Sequence, residues 1–224
     1  MASHAASGTV VDVPHTSPPV RSVADARRLE QQGARLKYLF FWGHQPGPDE
    51  TIGAGCLSQW WPAPFTVDDV TYPTAEHYMM HHKARLFRDE ATAARILTAP
   101  HPKAAKNLGR QVHGFDDTTW NTHRYDIVTA ASTAKFSQNP SLRDYLLRTG
   151  DRILVEASPL DRIWGIGLAA DDPRATSPTH WRGLNLLGFA LMHTRTSLTQ
   201  QRPADTVEPK TRSESRKKGN RKHE

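Results

Sequence analysis

The sequence predicts a compact, helix-rich α+β domain. Segments with apolar residues at helical spacing outnumber the short apolar runs that read as strands. Their order shows no regular β–α–β alternation. The chain has 224 residues; with both ends set aside, roughly 165 remain, from Leu36 to about Gln200, for one domain with a sizeable core. The expected organisation is a mostly disordered N-terminal extension over 1–35, the domain over 36–200 and a basic, disordered tail over 201–224.

In chain order, residues 1–20 are rich in Ala, Ser, Thr and Pro and carry no periodicity. Ala24 to Leu36 reads as a short polar helix. Leu36-Lys-Tyr-Leu-Phe-Phe-Trp42 is short, apolar and aromatic, the pattern of a buried strand. A Gly/Pro-rich loop covers 43–55. Phe65 to Tyr72 reads as two short strands around an Asp-Asp turn. Thr74 is a helix N-cap ahead of helical spacing from Glu76 to Phe87. Helices follow over Glu90–Ala99 and Pro102–Leu108, the second closed by Gly109. A long helix spans about Thr118 to Phe136. Pro140 opens another over Ser141–Arg148, which Gly150 ends. Arg152 to Ala157 is a strand, and the last helix runs from about Gly183 to Leu198.

Composition narrows the functional classes. The net charge is +6, but the segment from Gln201 holds eight Lys and Arg against four Asp and Glu, leaving a surplus of two for residues 1–200. A solubilising tail accounts for this better than a nucleic-acid-binding domain, although the tail can touch phosphates non-specifically. The single cysteine, Cys56, permits no intramolecular disulfide and fits a reducing compartment. The N-terminus lacks the pattern of a signal peptide. No apolar run approaches the roughly 18–20 residues that span a bilayer. A cytoplasmic protein with no membrane partner is expected.

Four clusters carry polar groups suited to chemistry. In Tyr72-Pro-Thr-Ala-Glu-His-Tyr-Met-Met-His-His-Lys-Ala84, Glu76 and Lys83 are about two turns apart, near one helix face. A carboxylate there suits general acid–base work; an N-terminal charge on the helix dipole is the structural alternative. His77 and His81 have metal-ligand spacing, but the motif is not H-E-x-x-H and no Cys/His cluster stands elsewhere, so no metal is expected. On the long helix Trp120, Arg124, Val128, Ala131 and Lys135 form a stripe. It is either core with a snorkelling edge or a surface where Trp stacks on a base and Arg forks onto phosphate. The strand ending at Glu156 leads into a loop with Asp161, Trp164, Gly165 and Gly167, a place where pocket residues gather. Gly183 and Asn185 lie near the start of the last helix, where free N–H groups receive phosphate or Asn acts as a cap.

These segments, in order, resemble the NADAR family, whose members include YbiA-like N-glycosidases. The resemblance rests on Phe41-Trp42-Gly43, Leu57 to Phe65, Tyr72 to Tyr78 with Lys83-Ala84, Leu108-Gly-Arg110 and Trp120 with Arg124. It continues through Ala134 to Asn139, Leu146 to Gly150, Leu154 to Pro159, Asp161 to Gly167 and Gly183 to Gly188. It covers roughly residues 38–198. The resemblance implies hydrolysis of the C–N bond between a base and a (phospho)ribose, without a cofactor. The leading expectation is a pyrimidine intermediate of riboflavin synthesis. The alternatives are ADP-ribose removal from guanine in DNA, and a non-catalytic module that binds NAD or ADP-ribose. The intact polar set speaks against the last. The resemblance implies Glu76 as the carboxylate near C1′ and Asp161 as the second carboxylate. Lys83 or Lys135 is implied for a Schiff base with an opened ribose. Trp120 and Trp164 would stack on the base, Arg110, Arg124 and the Gly183–Asn185 turn would hold phosphate, and Glu156 would contact substrate. The expected partner is a ribose-phosphate or ADP-ribose compound, or ADP-ribosylated DNA; protein partners stay open.

Overall fold

A computed structural model describes residues 20–47 and 51–201. The disorder expected at both ends therefore falls largely on 1–19 and 202–224, outside the described residues. Seven helices and four short strands are described: α1 (Val23–Gln31), β1 (Tyr38–Phe41), β2 (Phe65–Val67), β3 (Val70–Tyr72), α2 (Ala75–Leu86), α3 (Glu90–Leu97), α4 (Pro102–Gly109), α5 (Asp117–Gln138), α6 (Pro140–Arg148), β4 (Ile153–Glu156) and α7 (Leu186–Gln200). The helix-rich α+β reading of the sequence matches this architecture. No helix among the described residues is long and apolar enough to cross a membrane.

Local chemistry sets most element boundaries. Side chains of Thr74, Asp89, His101 and Asp116 accept hydrogen bonds from the N–H groups of His77, Thr92, Ala104 and Thr119, capping α2 to α5 in turn. Pro102 and Pro140 stand in the first turns of α4 and α6, where a missing N–H costs nothing. Between β2 and β3, Asp68 and Asp69 both adopt positive φ, 48° and 61°, the geometry that matches the twist of a tight hairpin. The helix expected over 24–36 ends earlier, at Gln31, before Gly33 at φ 78°. Its Arg27 guanidinium donates to the Pro178 and Trp181 carbonyls, and Glu30 accepts from Thr179, which ties α1 to the domain.

The first strand departs from its reading. It pairs in parallel with β4, Tyr38 opposite Ile153 and Phe41 opposite Glu156. Only Phe41 is fully buried, and Trp42 beyond it is 63% exposed. Among the described residues the sheet has just these two strands, so β1 has a neighbour there on one side only, whereas Ile153, Leu154 and Val155 of β4 are all buried. α2 behaves oppositely. Every residue from Ala75 to His81 is buried, because α3, α4 and α5 surround it. The main core joins Met79, Met80, Val128, Phe136, Leu146, Leu154 and Leu191 across α2, α5, α6, β4 and α7.

The last helix starts at Leu186 rather than Gly183. Asn185 is left-handed, φ 51°, and fully buried. Its amide does not cap the helix. The side-chain oxygen accepts from Glu156 N–H at 3.0 Å, and the nitrogen donates to the Leu154 carbonyl at 2.9 Å. Gly188, one turn on, lets α7 lie against the Leu154 carbonyl where any Cβ would collide. Asn185 thus fixes the end of β4, where the carboxyl side chain of Glu156 begins. Asn185→Ala strands two buried backbone groups and is expected to lower stability by about 2–4 kcal/mol. Urea unfolding checks this: the midpoint should fall at constant m-value.

Candidate active site

A cavity of about 610 Å³ opens between α2, α4, the start of α5 and the two loops that leave the parallel strands. α2 supplies Glu76, Met79, Met80 and Lys83; α4 adds Lys106, Gly109 and Arg110; α5 adds Trp120. Trp42, Gly43 and His44 follow β1. Glu156, Ser158, Leu160, Asp161 and Trp164 come from β4 and its loop, and Ser58, Gln59 and Trp60 close the remaining side.

Sequence spacing placed Glu76 at the first turn of a helix, and the structure turns it inward. It is 2% exposed. Desolvation pushes its carboxyl from the ordinary 4.5 up to about 7, and the Asp161 charge adds to this. The Lys106 charge, a hydrogen bond from the Trp60 side chain and the Arg110 charge oppose the rise. An exposed carboxylate that merely stabilises a helix dipole would not be desolvated in this way. Glu156 is pushed further, to about 8, by burial, then by the negative charges of Asp161 and Glu76, with Lys106 pulling the other way. One oxygen of each glutamate, and the Gln59 amide oxygen, is buried with no hydrogen-bond partner among the described residues. Such atoms are rare in folded proteins, and three around one cavity mark a place built to receive donors. Asp161 is held by its own loop: one carboxylate oxygen accepts from the N–H groups of Ile163 and Trp164, both at 2.8 Å.

The two lysines separate. Lys83 lines the cavity, donates to the Gly109 carbonyl at 2.9 Å and sits 4.1 Å from the Phe115 ring centroid. Burial lowers its pKa. Lys135 is 1% exposed and lies behind the wall, where its amine donates to the carbonyls of Cys56 at 2.7 Å and Ser58 at 2.8 Å. Desolvation lowers its pKa to about 7. Those bonds fix the turn carrying Gln59 and Trp60, and Lys135, unlike Lys83, is not among the residues that line the cavity.

Trp120, Trp164 and Arg110 line the cavity, whereas Arg124, Gly183 and Asn185 do not. Arg124 has its Nε buried without a partner among the described residues, and burial lowers its pKa against the opposing charges of Asp117 and Asp161. Gly183 and Asn185, read for phosphate, are engaged in structural contacts away from the cavity lining. The Asn185 amide is spent on β4, and Gly183 packs so closely on Gly165 and Arg162 that no Cβ fits. The histidines of α2 also have structural partners. His77 bonds the Thr74 hydroxyl and the Ala99 carbonyl, His81 bonds the Tyr72 hydroxyl, and His82 stacks on Tyr78 at 4.0 Å. Among the described residues, no group of three or more His, Cys, Asp or Glu is placed to hold a metal ion.

Sequence reasoning passed over Gln59, Trp60 and Lys106. Gln59 and Trp60 lie within a segment that carried the family resemblance, but a Gln-Trp-Trp run has no chemical signature by itself. Lys106 and Arg110, four apart on α4, were legible as paired cations on one face.

The NADAR domain model matches residues 40–199, and the chain belongs to that family. N-glycosidase R617 of Acanthamoeba polyphaga mimivirus is 43% identical over 164 residues, 71% of this chain and 95% of the relative. The riboflavin biosynthesis protein PYRR, chloroplastic, of Zea mays is 35% identical over 145 residues, 61% of this chain but only 21% of that protein. The NMR structure of the Escherichia coli protein YbiA has a TM-score of 0.59 and 29% identity, covering 78% of this chain and 92% of that one.

The raised carboxyls bear on stability. Glu76 and Glu156 ordinarily titrate at 4.5 but at about 7 and about 8 when folded. Between those values the folded state holds more protons than the unfolded chain, so their contribution to stability falls as pH rises. The buried histidines, lowered from 6.5, act in the opposite sense at the acid end of this window. The difference between proteins isolates the glutamate: the melting temperature of Glu156→Gln relative to wild type is expected to rise from about pH 5 to about pH 8.5. A flat difference in a thermal-shift series would contradict the shift.

Proposed function

We propose that this chain is an N-glycosidase that hydrolyses the C–N bond between a base and C1′ of a phosphorylated ribose. One observation carries the reading: two desolvated glutamates, with unpartnered oxygens, share one cavity with Asp161 and three cations. The mimivirus relative, an N-glycosidase by name, supports the reaction class, and the maize relative, a riboflavin biosynthesis protein by name, supports a substrate from riboflavin synthesis, for which a ribosylated pyrimidine fits the reaction.

A C–N glycosidic bond breaks through an oxocarbenium-like state, which needs a proton for the departing nitrogen and negative charge near C1′. Glu156, with the higher pKa, is the acid: as the C1′–N bond breaks, its electron pair goes to nitrogen, which takes the Glu156 proton. Ionised Glu76 takes a proton from water while the water oxygen bonds to C1′. The charge of Asp161 stabilises the cationic sugar, and exchange with solvent then restores both glutamates. Trp120 and Trp164 offer faces for the base, and Arg110 with Lys106 offers charge for phosphate.

A second route is favoured by the place of Lys83 on the cavity wall with its pKa lowered by burial. Its neutral amine bonds to C1′ as the C1′–N electron pair goes to the base nitrogen, which takes the Glu156 proton. Ring opening then moves the C1′–O electron pair to a ring oxygen that gains a proton, and the nitrogen loses its own to give the imine. Water hydrolyses the imine and frees the amine.

Glu76→Gln and Glu156→Gln are each expected to lower turnover by a factor of at least about a hundred without loss of the fold. Wild-type rates should peak between about pH 7 and 8, where Glu76 is ionised and Glu156 protonated. Base release from a ribosylaminopyrimidine 5′-phosphate is the assay, with ADP-ribosylated guanine DNA as a parallel substrate. Borohydride added during turnover separates the routes by leaving or not leaving a sugar on Lys83. Wild-type turnover by Glu76→Gln would end the catalytic assignment of that residue.

A further inference from the structure

We propose that Gln59 is a specificity-determining residue that accepts a hydrogen bond from the 2′-hydroxyl of ribose. The inference rests on the ribosyl reading above and deepens it.

Gln59 is 7% exposed, lines the cavity, and its amide oxygen is buried without a partner. A buried acceptor left unmade is costly, so a well-packed protein keeps one where a ligand supplies the donor. The neighbouring unpartnered atoms belong to Glu76 and Glu156. Glu76 is the group assigned to C1′, and its backbone N–H donates to the Gln59 carbonyl at 3.1 Å. That main-chain bond holds the backbones of the two residues together, and both side chains line the same cavity. On a furanose, the donor next to C1′ is the hydroxyl of the adjacent carbon. The amide is also preorganised, since Lys135 pins the Cys56 and Ser58 carbonyls just before it. Among the described residues, no protein group bonds the Gln59 oxygen itself.

The function of the amide should therefore be separable from stability. Gln59→Leu removes the orphaned acceptor at similar volume, and its melting temperature is expected to equal or exceed that of wild type. Calorimetric binding of D-ribose 5-phosphate and 2-deoxy-D-ribose 5-phosphate gives the specificity readout without turnover. Wild type is expected to bind the ribose compound about tenfold more tightly, the scale of one good hydrogen bond. Gln59→Leu should bind the two about equally, and Gln59→Glu, which keeps an acceptor at the same reach, should retain the preference. An undiminished preference in Gln59→Leu, or its loss in Gln59→Glu as well, would overturn the role of Gln59 while leaving the ribosyl reading intact. Failure of all three proteins to bind either sugar phosphate would overturn both.

Discussion

Desolvation of Glu76 and Glu156 is the constraint to which the surrounding structure answers. Two carboxyls held out of water beside a third, Asp161, repel one another and resist ionisation. The arrangement is unfavourable for folding, so it persists only because elements on both sides are fastened by groups with no access to the cavity. Asn185 locks the end of β4 from behind, and Lys135 locks the turn that carries Gln59 and Trp60. The burial of α2 from Ala75 to His81 leaves the Glu76 side chain only the cavity to face.

The division of labour follows from this geometry. Residues that look reactive on paper, such as Lys135 and Asn185, are buried and satisfied by backbone groups. Three of the four residues left with unpartnered atoms among the described residues, Glu76, Glu156 and Gln59, face the cavity; the fourth, Arg124, does not line it. Lys83, Lys106 and Arg110 line it as well, and the charges of Lys106 and Arg110 restrain the rise of the Glu76 pKa. A site of this kind lets one carboxyl hold a proton near neutrality while its neighbour is ionised, the separation that acid–base chemistry needs.

Much of the fold was legible in the sequence. The caps at Thr74 and the prolines at 102 and 140 act through bonds within one turn, so their signals are local. The Asp68-Asp69 hairpin is local too. The half-exposed state of β1 was hidden, because it depends on how many strands join it, and Leu-Phe-Phe reads alike in either case. The start of α7 was misplaced because Gly183 to Asn185 is shaped by contacts with Arg162, Gly165 and β4, far away in sequence. For the same reason, helical spacing brought Glu76 and Lys83 to one face but could not distinguish Lys83, on the cavity wall, from Lys135, behind it. Glu156 was legible as a strand-end residue; its higher pKa needs the charges of Asp161 and Glu76 beside it as well as burial.

Protonation of the two glutamates can be read directly. Carbon-13 NMR of the side-chain carboxyls in glutamate-labelled protein, with the two signals assigned through the Gln variants, follows each group as pH is raised. The account expects titrations near 7 for Glu76 and near 8 for Glu156. Two signals that both titrate near 4.5, the ordinary value, would show the carboxyls to be hydrated and would contradict it.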